Sequence, residues 1–302
     1  MKAIKVILPI LVLAVISGGL FIFKDDIVSY FINSKVYKRE NITYAANKYY
    51  RILDVNYVDE TEDFEPNSKQ DVLDIMYTVL NAGLDEFKFY CSESYTDCIE
   101  DVKSITEDET ILTNINNFVH PYNSYSKMYV TVNNLGEVNI NIDHLYSKDD
   151  IDIIEEHVNE VINKLITPKM STETKIKTIH DYIINNTKYD SKRSENLEDT
   201  TNISHKANGL LTTGYAICGG YADTMAIFLS KLGITNYKIS SVEHVWNYVY
   251  YDGEWKHLDL TWDDPVTNTG QDIITYDYFL VTEKELILKD STQHNFDKTV
   301  YE

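Results

Sequence analysis

Cys218, His244 and Asp259 follow one another along the chain, and their side chains have complementary chemistry. A thiolate can attack an amide carbonyl, an imidazole can take and return the proton, and a carboxylate can fix the imidazole's tautomer. The segment Thr213-Gly214-Tyr215-Ala216-Ile217-Cys218-Gly219-Gly220-Tyr221-Ala222 leads into a helical pattern over residues 223–232, ended by Gly233. That order puts Cys218 at a helix N-terminus, where unsatisfied backbone N–H groups and the helix dipole stabilise a thiolate and a developing oxyanion. The glycines read as room for close approach of a substrate. A cysteine before a helix is equally compatible with an inert buried thiol, so the downstream residues have to decide.

Residues 242–250 and 255–261 have a strand pattern and flank Asp252-Gly253, a two-residue hairpin turn. With Tyr251 opposite Glu254, Trp246 faces Asp259 and His244 faces Thr261, all on one side of the ribbon. His244 and Asp259 become diagonal neighbours, with Cβ atoms somewhat under about 7–8 Å apart, which a hydrogen bond between the side chains can close. The same register sets His257 opposite Tyr248 and leaves Asp263 and Asp264 beyond the strand, beside Pro265. It therefore selects His244 and Asp259. A metal site from Cys218, His244, His257 and Asp259 is disfavoured, because the register separates His257 and no short ligand pair is present. No metal or cofactor is called for.

The rest of the chain must supply a scaffold. Its 302 residues, 43% hydrophobic and 12% aromatic, can bury one large core or two modest ones. Residues 26–51 have a Tyr-rich helical pattern, and the acidic run 59–65 reads as a solvated linker. Between residues 69 and 142 the order is helix, strand (86–90), two helices and a hairpin (128–132 and 137–142). In the first helix Leu73, Met76, Tyr77 and Leu80 recur at core spacing. Helical patterns follow over 149–166 and, after Ser171 as a cap, over 172–186. A boundary near Pro168 gives an α/β domain over 26–168 and a second domain over 169–302. The polar segment 190–206 either lines a cleft or is an ordinary surface loop.

The net charge of −21 leaves no basic stripe for phosphates, which sets nucleic acid aside as a partner. Residues 6–23 form an apolar run flanked by Lys2 and Lys5 on one side and Lys24, Asp25 and Asp26 on the other. This reads as a membrane anchor over residues 1–25, its N-terminus inside and the remaining chain outside. Secretion after cleavage of a signal peptide is the alternative. Of three cysteines, Cys91 and Cys98 either form a disulfide, which fits an external location, or stand as a reduced buried pair.

Three stretches resemble the transglutaminase-like superfamily: Cys218-Gly-Gly-Tyr-Ala222, His244-Val-Trp-Asn247, and Trp255-Lys-His-Leu-Asp-Leu-Thr-Trp-Asp-Asp-Pro265. The resemblance covers about residues 171–265 and extends to Asn186-Thr187-Lys188-Tyr189. It implies an α+β fold with a papain-like core, a helix and an antiparallel sheet, preceded here by the small α/β domain and the transmembrane helix. It also implies Cys218 as nucleophile, His244 as base and acid, Asp259 as orienter, and structural roles for Trp246, Asn247 and Trp262. Tyr215 is the candidate second oxyanion donor beside the Cys218 N–H, with burial in the core as its alternative role. The expected activity is acyl-enzyme chemistry on a peptide or side-chain amide of a protein or cell-wall peptide, with transfer to water or an amine. A catalytically inactive module that binds cell-surface protein or wall polymer is the competing expectation.

Overall fold

The structure is a computed structural model and describes residues 22–24, 26–27, 30, 44–133, 136–195, 203–266 and 273–301. The expected anchor lies almost wholly outside these residues. Among the described residues no helix is long and apolar enough to cross a membrane. Residues 44–51 form a loop and turn instead of the helix expected there. Asn81 holds this loop through bonds to the backbone of Arg51.

Helix α1 (Lys69–Ala82) starts on the Ser68 hydroxyl, which accepts the Asp71 N–H, and ends at Gly83, whose φ of 67° suits a residue without Cβ. Strand β1 (Glu86–Tyr90), helices α2 (Cys98–Thr106) and α3 (Glu109–Phe118), and strands β2 (Tyr125–Val132) and β3 (Glu137–His144) follow in the expected order. The sheet is antiparallel with order β1-β3-β2. Phe87 and Phe89 of β1 and Val138, Ile140 and Ile142 of β3 alternate into a core with α1. Cys91 and Cys98 are joined by a disulfide across a Cα–Cα distance of 5.7 Å.

Helices α4 (Lys148–Leu165) and α5 (Thr172–Asn185) are capped by Ser147 and Ser171. Strand β4 (Lys188–Tyr189), the short helices α6 (Ser191–Ser194) and α7 (Ala207–Thr213), and strand β5 (Tyr215–Ala216) then lead into helix α8 (Cys218–Lys231). Strands β6 (Asn236–Ser240), β7 (Val245–Tyr251) and β8 (Glu254–Leu258) form an antiparallel sheet in that order, and helix α9 (Leu260–Asp263) follows directly.

This second sheet is covered on both faces. Tyr237, Ile239, Trp246 and Tyr248 belong to the first core, with α1 and α3, whereas Val249 and Leu258 pack with α4, α5 and α8. The expected boundary at residue 168 therefore does not separate two cores. Helix α4 lies before it, yet buries Ile154, Val158 and Val161 in the second core. Asn117 of α3 also crosses the junction, donating to Ser240 Oγ at 2.7 Å and to Tyr301 Oη at 2.8 Å.

Helix α8 is fixed by a buried polar group as well as by apolar packing. Asp223 accepts from Tyr146 Oη and from Lys238 Nζ, each at 2.6 Å, and Tyr146 Oη accepts the Ala207 N–H at 2.9 Å. One carboxylate thus ties α8 to β6 and to the loop before α4. Asp223→Ala would strand the Lys238 ammonium in the interior, and an unpaired buried charge costs about 3–5 kcal/mol. Urea unfolding should show a loss of stability of about 3 kcal/mol, and a loss below about 1 kcal/mol would mean that Lys238 escapes to water.

Candidate active site

Helix α8 begins at Cys218 itself, five residues earlier than its sequence pattern suggested. Ile217 precedes it in extended conformation (φ −105°, ψ 179°) and supplies no side-chain cap, so the Cys218 and Gly219 N–H groups open the helix without intrahelical acceptors. The glycines serve the protein's own backbone and not a substrate. A Cβ on Gly220 would lie 2.5 Å from Ser204 O, and one on Gly219 would lie 3.0 Å from His205 O. The short 3-10 turn Ile203–His205 is pressed against the helix start, and Ser204 O accepts the Ile217 N–H at 2.9 Å. Parallel pairing of β4 with β5 sets Tyr189 beside Ala216, two residues before the thiol.

The β7–β8 register is the one expected: Tyr251 pairs with Glu254, Tyr248 with His257 and Asn247 with Leu258. Both strands are shorter than their patterns, and His244 and Asp259 lie just past the ends of the ladder. On one side the Ser241 N–H donates to His244 O at 2.9 Å, closing a turn. On the other, Asp259 Oδ1 accepts the N–H groups of Thr261 (2.9 Å) and Trp262 (3.2 Å) and caps α9. Thr261 is therefore helical and does not face His244 across a ladder. Asp259 Oδ2 still meets His244 Nε2 at 2.5 Å.

With Nε2 committed to Asp259, the other ring nitrogen of His244 is left for Cys218, whose proximity favours the charged ring. Burial opposes charge on His244, but the attraction of Asp259 and the bonds to Asp259 and Cys218 outweigh it and raise the imidazole to about 10. Burial likewise works against the Asp259 carboxylate, yet His244 and His294 together hold it well below the usual carboxylate range. The pair is an imidazolium and a carboxylate over the neutral pH range.

Other candidates fall into different surroundings. His257 is fully buried behind Trp246, whose indole N–H donates to His257 Nδ1 at 3.0 Å, and burial lowers this imidazole to about 3. Trp246 also stacks on His244, with ring centroids 5.6 Å apart and planes 17° from parallel. Asp263 bonds His180 at 3.2 Å, and Asp264 accepts from the Tyr221 hydroxyl. Tyr215 takes neither of its expected roles: its ring is 49% exposed and does not line the cleft around Cys218, because β5 turns it away while burying Ala216.

That cleft has a volume of about 570 Å³, and Tyr189, Glu243, Trp262 and Gln293 line it with Cys218 and His244. Tyr189 remains a phenol, since burial and the nearby Cys218 charge both raise its pKa. Tyr189 and Gln293 are neutral donors that replace Tyr215 as candidates for the second oxyanion contact. Sequence reasoning missed both roles, and missed His294, whose Nε2 lies 2.9 Å from Asp259 Oδ2. The spacing Asp290 to His294 is a helical i, i+4 pair, which was the available signal, but nothing in it pointed to Asp259. His244, Asp259 and His294 offer nitrogen and oxygen atoms all within 4.8 Å. Hydrogen bonds already account for this cluster, the protons on both Nε2 atoms occupying the space between the rings and Oδ2.

The profile of the Transglutaminase-like superfamily matches residues 159–260. The kyphoscoliosis peptidase of Mus musculus is 22% identical over 161 residues, 47% of this chain and 24% of that protein. The chain thus spans about a quarter of the length of the curated relative it matches. Among solved structures, one described as a TGase has a TM-score of 0.35 at 19% identity, covering 46% of this chain and 45% of that one. A candidate cysteine protease from Cytophaga hutchinsonii has a TM-score of 0.28 at 14% identity, covering 49% of this chain and 65% of that one.

Two outcomes follow from the geometry. Gly220→Ala should destabilise the fold by about 1–3 kcal/mol, read by thermal or urea unfolding, because backbone at Ser204 O stands where the methyl group would go. His244 has a raised pKa, so its stabilisation is complete below the unfolded value near 6.5 and is lost as pH rises through about 10. Asp259 has a depressed pKa, so its contribution is present above about 3.9 and is lost as pH falls below that. The melting temperature of Asp259→Asn should lie furthest below that of the unsubstituted protein between those limits, and the gap should narrow toward pH 10.

Proposed function

Residues 159–260 belong to the transglutaminase-like superfamily, and from that premise we propose that this protein is a thiol enzyme forming an acyl-enzyme on Cys218 from a peptide or side-chain amide. One observation carries the reading: Asp259 Oδ2 meets His244 Nε2 at 2.5 Å, and that paired imidazole lines the same cleft as the Cys218 thiol. In the first step the thiolate adds to the carbonyl carbon, and the carbonyl electrons move to oxygen, beside the Cys218 N–H at the helix start. His244 gives its proton to the departing nitrogen as the C–N bond breaks, leaving a thioester and a neutral imidazole. Water or a primary amine then attacks the thioester, His244 takes the incoming proton, and the thiolate leaves.

The substrate is a protein or a peptide, including cell-wall peptide. Acidic surface charge, −21 over the chain, favours cationic segments among these. An extracytoplasmic location is supported by the Cys91–Cys98 disulfide and by the apolar run at residues 6–23, which would anchor the chain with its N-terminus inside.

Cys218 is the only cysteine outside the disulfide, so alkylation reads it directly. Iodoacetamide at neutral pH should label Cys218 at least about tenfold faster than in His244→Ala, followed by mass spectrometry. Equal rates would remove the activated thiol and the reading with it. Acyl-donor peptides offered with and without a labelled primary amine should yield product with the unsubstituted protein and none with Cys218→Ala. Incorporation of the amine identifies transfer, and cleavage without incorporation identifies hydrolysis.

A further inference from the structure

The carboxylate of Asp259 serves two histidines. His244 Nε2 and His294 Nε2 approach the same oxygen, Oδ2, at 2.5 and 2.9 Å, while Oδ1 is spent on the backbone N–H groups of Thr261 and Trp262. An ionised carboxylate only accepts, so His294 must donate through Nε2. Its other nitrogen, Nδ1, lies 2.9 Å from Asp290 Oδ2, and three backbone N–H groups of this turn are tied to the same carboxylate: those of Gln293 and His294 donate to Asp290 Oδ2 and that of Thr292 to Oδ1. The ring is completely buried and stacks on Tyr278 at 5.2 Å, with Trp246 edge-on at 4.9 Å. His294 thus has no freedom to turn from Asp259. It enters from the segment after helix α10 (Glu283–Lys289), beyond the family match at residues 159–260.

We propose that His294, oriented by Asp290, is a positioning residue that pins the Asp259 carboxylate against His244 and so keeps the imidazole aligned with Cys218. Helix capping through Oδ1 holds one end of the carboxylate, and a second donor on Oδ2 besides His244 resists its turning about the Cβ–Cγ bond. His294 supplies that donor from beside His244, the two rings meeting edge to face with centroids 5.3 Å apart. The charged and titratable groups around this arrangement are Cys218 at the start of α8, His257 on β8, Asp263 at the end of α9, Tyr278 beyond it, and Asp290 itself. Among the described residues His244 and His294, and none of these, reach Asp259 Oδ2 with a hydrogen bond. The inference rests on the reading of Cys218 and His244 as nucleophile and base.

Two substitutions separate the ring's two contacts. The amide nitrogen of glutamine reaches the position of Nε2 and that of asparagine the position of Nδ1, so His294→Gln keeps the donor to Asp259 and His294→Asn keeps only the one to Asp290. Iodoacetamide labelling of Cys218 should slow at least about tenfold in His294→Asn and stay within about threefold of the unsubstituted rate in His294→Gln. Histidine-selective 15N spectra of the unsubstituted protein should show exchange-protected imidazole N–H protons of His244 and His294 far downfield, and His294→Asn should lose those of His294 and broaden that of His244. Unchanged labelling in His294→Asn, or equal slowing in both variants, would overturn the proposal and leave His294 a packing residue. If no downfield imidazole proton disappears in His294→Asn, the proposal is overturned as well. If the unsubstituted protein labels no faster than His244→Ala, the nucleophile reading fails and the proposal falls with it. Fast labelling together with equal slowing in the two variants overturns the positioning role alone.

Discussion

Asp259 is 1% exposed and carries its charge where water cannot reach it. A carboxylate in such a place is tolerated only when its lone pairs are filled by well-placed donors. Here four donors converge: two backbone N–H groups on Oδ1 and two imidazoles on Oδ2. Each donor constrains a different part of the chain. The backbone bonds stop strand β8 at Leu258 and start helix α9, while the imidazoles draw in the loop before β7 and the segment after α10. Burial opposes charge on the His244 ring, and the attraction of Asp259 and the hydrogen bond to it outweigh that penalty together with the contribution of Cys218.

Holding these groups in register with Cys218 requires a stiff support, and the sheet of β6, β7 and β8 provides it by being buried on both faces. Trp246 stacks beneath His244 and is braced by the indole bond to His257, so the imidazole rests on a ring that is itself fixed. Behind it, Phe118 of α3, Tyr237 of β6 and Tyr301 of helix α11 (Lys298–Tyr301) pack as an aromatic group, with centroid separations of 5.1 to 6.4 Å. The N-terminal region therefore forms the back wall of the sheet beside His244. On the opposite face, helix α8 is tethered by Asp223 to Lys238 of β6 and by Gly219 and Gly220 to the backbone of residues 204–205. Cys218 and His244 are thus fixed to the same three strands from two sides.

Much of this was legible in the sequence wherever a local rule was strong. Asp252-Gly253 set a hairpin whose register selected His244 over His257 and Asp259 over Asp263, and the pairing is the one the turn dictates. The serine cap at 171 and the alternation in β1 and β3 marked their elements for the same reason: the signal lies within a few residues of what it specifies. Misjudgements arose where neighbours distant in sequence decided. The glycines after Cys218 are needed for a loop that closes from residues 203–205, Tyr215 is turned outward by pairing with β4, and helix α4 joins the core that the sequence boundary assigned to the other domain.

The sequence by itself determined the residue types, their order and the hairpin that sets His244 diagonally across from Asp259, because a two-residue turn and the period of two along a strand are local constraints. Only the tertiary structure decided that the hairpin ends at His244 and Asp259, that Tyr189 and Gln293 line the cleft, and that His294 shares the carboxylate. Those choices come from filling the hydrogen-bonding capacity of one buried charge with whatever donors the packed chain brings within reach. His294 stands 35 residues from Asp259 along the chain, and no periodicity links positions that far apart.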